Sequence, residues 1–241
     1  MHVVAHRGHS AVAPENTLPA FTSAVRAGAT FVEFDVRTTA DGVPVVIHDR
    51  TVDRTTDGTG NIWDLTLDDI RGLEAGSWFS PDFDGEPVPS LEQVLDLLEP
   101  ADAALLLEIK PPAGLDEVKT IVTQLADREL LDRTVLQSFD PGILHLADEA
   151  APELRRGLLR KGFDADPVEV ALGLGAIYYN PSVNDVLGAP ATVRRLRDAG
   201  VEVMPWTAND PGAWPVLAGT GIAGVITDRV ADVVSWHRST P

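Results

Sequence analysis

Residues 31–49 read FVEFDVRTTADGVPVVIHD, and this stretch decides the fold. Phe31 to Thr38 alternates in character and is rich in β-prone residues, which reads as a strand. Asp41-Gly42 is a hairpin turn signal, and Val43 to Asp49 is the return arm. A turn centred on Asp41-Gly42 sets Asp35 opposite His48. Opposed residues share a face, and alternation adds Glu33 and Arg37 to it. Glu33, Asp35 and His48 are therefore expected to point one way, with Phe34, Val36 and Ile47 on the other side. Two carboxylates so spaced offer oxygen ligands to one hard cation. A histidine beside them is a candidate proton carrier. A hairpin with one solvated polar face would give the same pattern, so the rest of the chain has to decide.

The chain has 241 residues, enough for one large core, and residues 1–241 are expected to form a single domain. Hydrophobic content of 44% argues against disorder. The net charge of −18 argues against nucleic acid and anionic membranes as partners. It also means that an anionic substrate needs local positive charge. There is no cysteine, hence no disulfide or thiolate chemistry. The opening MHVVAHRG reads as a strand, not as a basic and then apolar leader, and no apolar run reaches the ~18 residues of a membrane span. A cytoplasmic protein, monomeric or homodimeric, is the expectation.

Val3 to Ala5 is a short strand ending His6-Arg7-Gly8. A loop follows, with Asn16 or Thr17 placed to cap a helix that Gly28 ends. Residues 50–90 are rich in Asp, Thr, Gly and Pro, with Trp63, Trp78, Phe79 and Phe83 among them. They read as an insertion after the hairpin: a cover over one end of the domain, or a structural excursion with its own aromatic cluster. From Leu91 on, helices and strands alternate with short connections, which implies a parallel sheet. Strands starting near residues 3, 31, 103, 135, 154, 176, 201 and 223, with 43–49 as a protruding arm, make eight βα units, the content of a (β/α)8 TIM barrel. An open doubly wound sheet is the alternative, but there is no Gly-rich phosphate loop.

Catalytic groups of such a barrel collect at the carboxyl ends of the strands. There the sequence places His6 and Arg7, Glu33 and Asp35, Glu108 and Lys110, Gln137, Asn180, Trp206, Asn209 and Asp228. Glu108 follows Leu105-Leu106-Leu107, and a charge in so apolar a strand must be paired or bind metal. Glu33, Asp35 and Glu108 are all oxygen donors, so one divalent cation, magnesium or calcium, is expected. Arg7 and Lys110 supply positive charge suited to phosphate. His6 and His48 make an acid–base pair. His9, in the loop after the first strand, is a weaker candidate to line the site. The assembly reads as phosphoryl transfer.

The segments HRGHSAVAPENT, EFDVRTTADGVPVVIHD, LEIKP, QSF, WTAND and ITD, in this order from Val3 to about Asp228, together resemble glycerophosphodiester phosphodiesterases. The resemblance implies a (β/α)8 barrel with a small insertion after the HD strand. It implies hydrolysis of a small-molecule glycerophosphodiester to an alcohol and sn-glycerol 3-phosphate, dependent on a divalent cation. Carried over by position, the metal carboxylates fall on Glu33, Asp35 and Glu108, the catalytic histidines on His6 and His48, and the phosphate-contacting residues on Arg7 and Lys110. Asn16 and Trp206 resemble positions that shape the site and hold the glycerol end. The rival activity on this scaffold is that of a lysophospholipase D or sphingomyelinase-D-like enzyme, which needs an apolar acyl groove. A non-catalytic binding protein would have lost one of the five histidines and carboxylates, and all five are present.

Overall fold

The structure is a computed structural model that describes residues 1–240. Its elements are β1 (His2–Ala5), α1 (Leu18–Ala27), β2 (Phe31–Thr38), β3 (Pro44–Val46), α2 (Leu67–Arg71), α3 (Leu91–Leu98), β4 (Ala104–Ile109), α4 (Leu115–Ala126), β5 (Thr134–Ser138), α5 (Pro141–Ala150), β6 (Arg155–Leu159), α6 (Pro167–Gly173), β7 (Ala176–Asn180), α7 (Val183–Gly188), α8 (Pro190–Asp198), β8 (Glu202–Val203), α9 (Trp214–Gly219), β9 (Gly224–Thr227) and α10 (Val230–Ser239). The strands run β8-β7-β6-β5-β4-β2-β1-β9, with β3 paired to β2 off this path. Closure between β8 and β9 rests on Ala223 N donating to Val203 O at 2.9 Å and Ile226 N to Pro205 O at 3.0 Å. This is the expected eight-stranded parallel barrel.

Alternation along the strands sorts side chains into two cores. Val32, Phe34 and Val36 of β2 and Leu105, Leu107 and Ile109 of β4 face outward and pack with helix residues such as Phe21, Leu91, Leu95 and Val118. Val4, Phe31, Leu106, Val135, Tyr178, Met204 and Ile226 form a separate apolar cluster inside the barrel. The inner face of β2 continues from Phe31 to Glu33, Asp35 and Arg37, and that of β4 from Leu106 to Glu108. The interior thus changes from apolar to ionic partway up each strand. The helices have local causes too. Ser90 and Gln93 form a reciprocal capping box that starts α3, and Leu91, Val94, Leu95 and Leu98 give it one buried stripe.

The hairpin register differs from the sequence expectation by one residue. Val36 pairs with Val46 and Arg37 with Val45, so Ile47, not His48, stands across from Asp35. Its N–H donates to Asp35 O at 3.0 Å. The loop holds three residues, not two: Thr39 N bonds Val43 O, and Gly42 takes a φ of +80°. Val45 and Ile47 then leave the barrel core and join Val52, Ile62, Ile70, Ala75 and Val88 in a small core of their own. Residues 50–90 are built on this aliphatic cluster. Trp63 and Trp78 are exposed. Strand β8 is shorter than its apolar run, because Pro205 has no N–H for the ladder. Helix α7, which the sequence reading missed, is capped by Ser182.

Just past β1 the chain turns sharply: Arg7 has φ +56° and Gly8 φ +84°. A Cβ on Gly8 would lie 2.7 Å from the backbone carbon of Ala20. Gly8→Ala is therefore expected to cost roughly 2–5 kcal/mol, from left-handed strain plus overpacking against α1. Denaturant unfolding measures this, and an unchanged midpoint would contradict the packing described.

Candidate active site

Where the luminal faces turn ionic, a cavity of about 300 Å³ opens at the carboxyl ends of the strands. His6, Arg7, Glu33, His48, Glu108 and Lys110 line one part of it, and Gln137, Phe139, Leu159, Lys161, Trp206 and Ile226 the rest. No residue from 50–90 lines it, so the insertion stands beside the cavity.

Glu33, Asp35 and Glu108 are buried, and each offers an oxygen within 4.8 Å of the others. Lys110 Nζ lies 3.0 Å from Asp35 Oδ1 and 2.6 Å from Glu108 Oε1. Arg7 Nε lies 3.3 Å from Asp35 Oδ2, and Arg7 N donates to Glu33 Oε2 at 2.8 Å. Burial would raise the Asp35 pKa, but Lys110 and then Arg7 hold it far below the usual carboxylate range. Burial and the charge of Asp35 push Glu108 up to about 7. Burial, Asp35 and Glu108 push Glu33 well above its usual value. Fully ionised, the three carboxylates would outnumber the two cations by one, and the raised Glu33 and Glu108 values express that excess. Glu108 Oε1 is buried, with Lys110 Nζ as its close charged contact. A buried set of hard oxygen donors, with more carboxylates than cations around it, fits a divalent cation, so this group could bind a metal ion.

Both histidines are held by carboxylates through Nδ1. His6 Nδ1 is 2.6 Å from Asp228 Oδ1, and Asp228 also accepts from Ser10 and Asn209. His48 Nδ1 is 2.6 Å from Asp49 Oδ1. This leaves Nε2 of each ring as the free nitrogen. His48 reaches the cavity from a bend after β3, not from a strand, and its carbonyl oxygen accepts from Arg37 Nε at 2.9 Å. Burial, the largest influence, lowers the His48 pKa, with Lys110 and Arg7 adding to it and Asp35 opposing.

Asn16 does not line the cavity: its Nδ2 donates to Asp35 Oδ2 at 2.8 Å, and its Oδ1 accepts from Asp35 N. Trp206 does line it, with its indole N–H on Asn180 O at 2.9 Å and its ring edge-on to Phe139. His9 is buried against Ser23 and lies outside the cavity lining. The sequence reading gave no role to Asp49, Arg37, Phe139 or Lys161. Asp49 adjoins His48 in the IHD segment, and Phe139 directly follows the strand carrying Gln137, so both were within reach. Lys161 follows β6 in a stretch with no recognisable motif.

Residues 6–232 match the profile of the Glycerophosphoryl diester phosphodiesterase family. The chain belongs to this family. A glycerophosphodiester phosphodiesterase of Caldanaerobacter subterraneus is 36% identical to it over 98% of this chain and 97% of the relative. The solved structure of an Oleispira antarctica phosphodiesterase in complex with the product sn-glycerol-3-phosphate superposes with a TM-score of 0.95 at 30% identity, covering 99% of this chain and 97% of the other. A Thermotoga maritima glycerophosphodiester phosphodiesterase gives a TM-score of 0.78 at 28% identity, covering 98% of each chain. The glycerophosphodiester phosphodiesterases are phosphoric diester hydrolases, and the cavity at the barrel mouth carries this member's candidate chemistry.

The carboxylate cluster should also show in stability. Glu108 holds its proton up to about pH 7 when folded and loses it near the ordinary glutamate value when unfolded. The folded state thus binds more protons through that interval, and stability falls as pH rises across it. In chelator, Glu108→Gln is expected to melt higher than the wild type at pH 7.5, with the gap closing toward pH 4.5. A gap that stays constant with pH would contradict the raised pKa.

Proposed function

We propose that this family member hydrolyses glycerophosphodiesters to an alcohol and sn-glycerol 3-phosphate, with a magnesium or calcium ion held by Glu33, Asp35 and Glu108. The observation that carries the reading is the buried three-carboxylate group beside Arg7, Lys110 and two carboxylate-held histidines in one cavity. The product complex of the Oleispira antarctica relative supports the choice of substrate. No helix is long and apolar enough to cross a membrane. The small cavity favours a water-soluble diester over an acylated one.

Arg7 and Lys110 draw in the phosphodiester and share its charge. A bound cation would supply Lewis-acid stabilisation of the nonbridging phosphate oxygens. Phe139 and Trp206 give the glycerol carbons an apolar wall. His48, kept neutral by burial, takes the proton from the attacking oxygen at Nε2. His6 then protonates the oxygen of the departing alcohol as its bond to phosphorus breaks. Asp49 and Asp228 hold the two rings and stabilise the charged forms. The attacking oxygen belongs to water or to the neighbouring glycerol hydroxyl, and a transient cyclic phosphate distinguishes the second route.

Glycerophosphocholine should release glycerol 3-phosphate in the presence of magnesium or calcium and not in EDTA, with add-back restoring the rate. Activity that survives complete chelation would remove the ion from the reaction. Turnover of a lysophospholipid without turnover of the soluble diester would transfer the chain to the lipid-hydrolase reading.

His6→Ala and His48→Ala should each lower kcat by about 10²–10⁴-fold, the usual worth of general acid–base catalysis. Because burial depresses the His48 pKa, its neutral form persists below pH 6.5. The rate should therefore hold as pH falls to about 6.5 and drop only below it. An acid limb centred above the ordinary histidine value would rule out neutral His48 as the base.

A further inference from the structure

Arg54 lies in the insertion, outside the cavity, and is the only cation bonded to both Asp49 and Glu15 among the described residues. Its Nε donates to Asp49 Oδ2 at 2.5 Å, and its Nη1 and Nη2 donate to the two oxygens of Glu15 at 2.8 Å each. Asp49 holds His48, and Glu15 Oε1 accepts from Arg7 Nη1 at 2.8 Å. The charges alternate along one chain of contacts: Arg7, Glu15, Arg54, Asp49, His48. Arg54 and His48 bring the Asp49 pKa down to about 2 against the effect of burial.

We propose that Arg54 is a positioning residue that sets, from one guanidinium, both the phosphate-binding Arg7 and the proton-transferring His48. The inference rests on the proposed diesterase reaction. It assigns the insertion a function: to carry one fork-shaped cation to a point between the loop after β1 and the bend after β3. Arginine suits the task because its planar donors grip two carboxylates at once, whereas lysine presents a point charge. The pairs are too exposed to add much stability, since the Arg54 side chain is 45% exposed. What they fix is orientation, and a small displacement of a reacting group costs up to about 10²-fold in rate.

The test is steady-state kinetics on glycerophosphocholine with saturating magnesium or calcium, alongside thermal unfolding. Wild-type turnover must be seen first. No turnover would overturn the proposed function and this inference with it. With turnover, Arg54→Met is expected to stay folded, with kcat lowered and KM raised, for a combined loss of about 10–100-fold in kcat/KM. Arg54→Lys should recover only part of it. Asp49→Asn should act mainly on kcat and Glu15→Gln mainly on KM. In the Glu15→Gln, Asp49→Asn background, Arg54→Met should change kcat/KM by less than about twofold, because its partners are already uncoupled. Kinetics within twofold of wild type for folded Arg54→Met would overturn the inference while leaving the function standing. So would a full additional loss in the double-variant background. If Arg54→Met does not fold, the same comparison is made with Arg54→Lys, where wild-type kinetics would again overturn it.

Discussion

The ion pair between Lys110 Nζ and Asp35 Oδ1, 3.0 Å long, sits where β2 and β4 run side by side out of reach of solvent. Asp35 is 1% exposed and Lys110 8%, so neither charge is tolerable alone. Each stabilises the other's ionised form: Asp35 is held far down, and Lys110 is raised by Asp35 and Glu108 against the effect of burial. Arg7 and Asn16 complete the contacts of Asp35 from the loop after β1. That loop is thereby tied to β2, and the turn at Arg7 and Gly8 becomes obligatory. The rest of the site follows, because His6, Arg7 and Glu15 leave that turn with fixed directions.

Most of this was legible in the sequence because the barrel uses one rule twice. Alternation turns Phe34, Val36, Leu105 and Leu107 outward to the helices, and the same alternation turns Glu33, Asp35, Glu108 and Lys110 inward. A carboxylate directly after three leucines has no apolar explanation, so Glu108 was readable without any structure. The three carboxylates come from two strands whose pairing aligns Asp35 with Glu108, and parallel order alone brings them together.

The hairpin is where the reading failed, and the reason is local. Asp41-Gly42 suggested a two-residue turn. Thr39 competes for the same chain: its hydroxyl accepts from Val43 N and donates to Asp41 Oδ1, which widens the loop to three residues. One added residue flips every side chain of the return arm. His48 still reaches the cavity, because β3 ends at Val46 and Arg37 holds the His48 carbonyl after the bend. The right residue was thus picked for a wrong geometric reason. Arg54 was invisible to pairing arguments, since its contacts to Glu15 and Asp49 are made across loops.

The chain carries a charge of −18 yet must admit an anionic diester if the proposed reaction is its own. The two facts are compatible because charge acts at close range. At physiological ionic strength exposed charges are screened over about 8 Å, while charges in a buried pocket are screened far less. The pocket lining holds Arg7, Lys110 and Lys161 against Glu33 and Glu108, and a divalent ion at the carboxylates would turn the balance clearly positive. The barrel mouth would accept a single small phosphodiester, so selectivity and catalysis would draw on the same few buried cations.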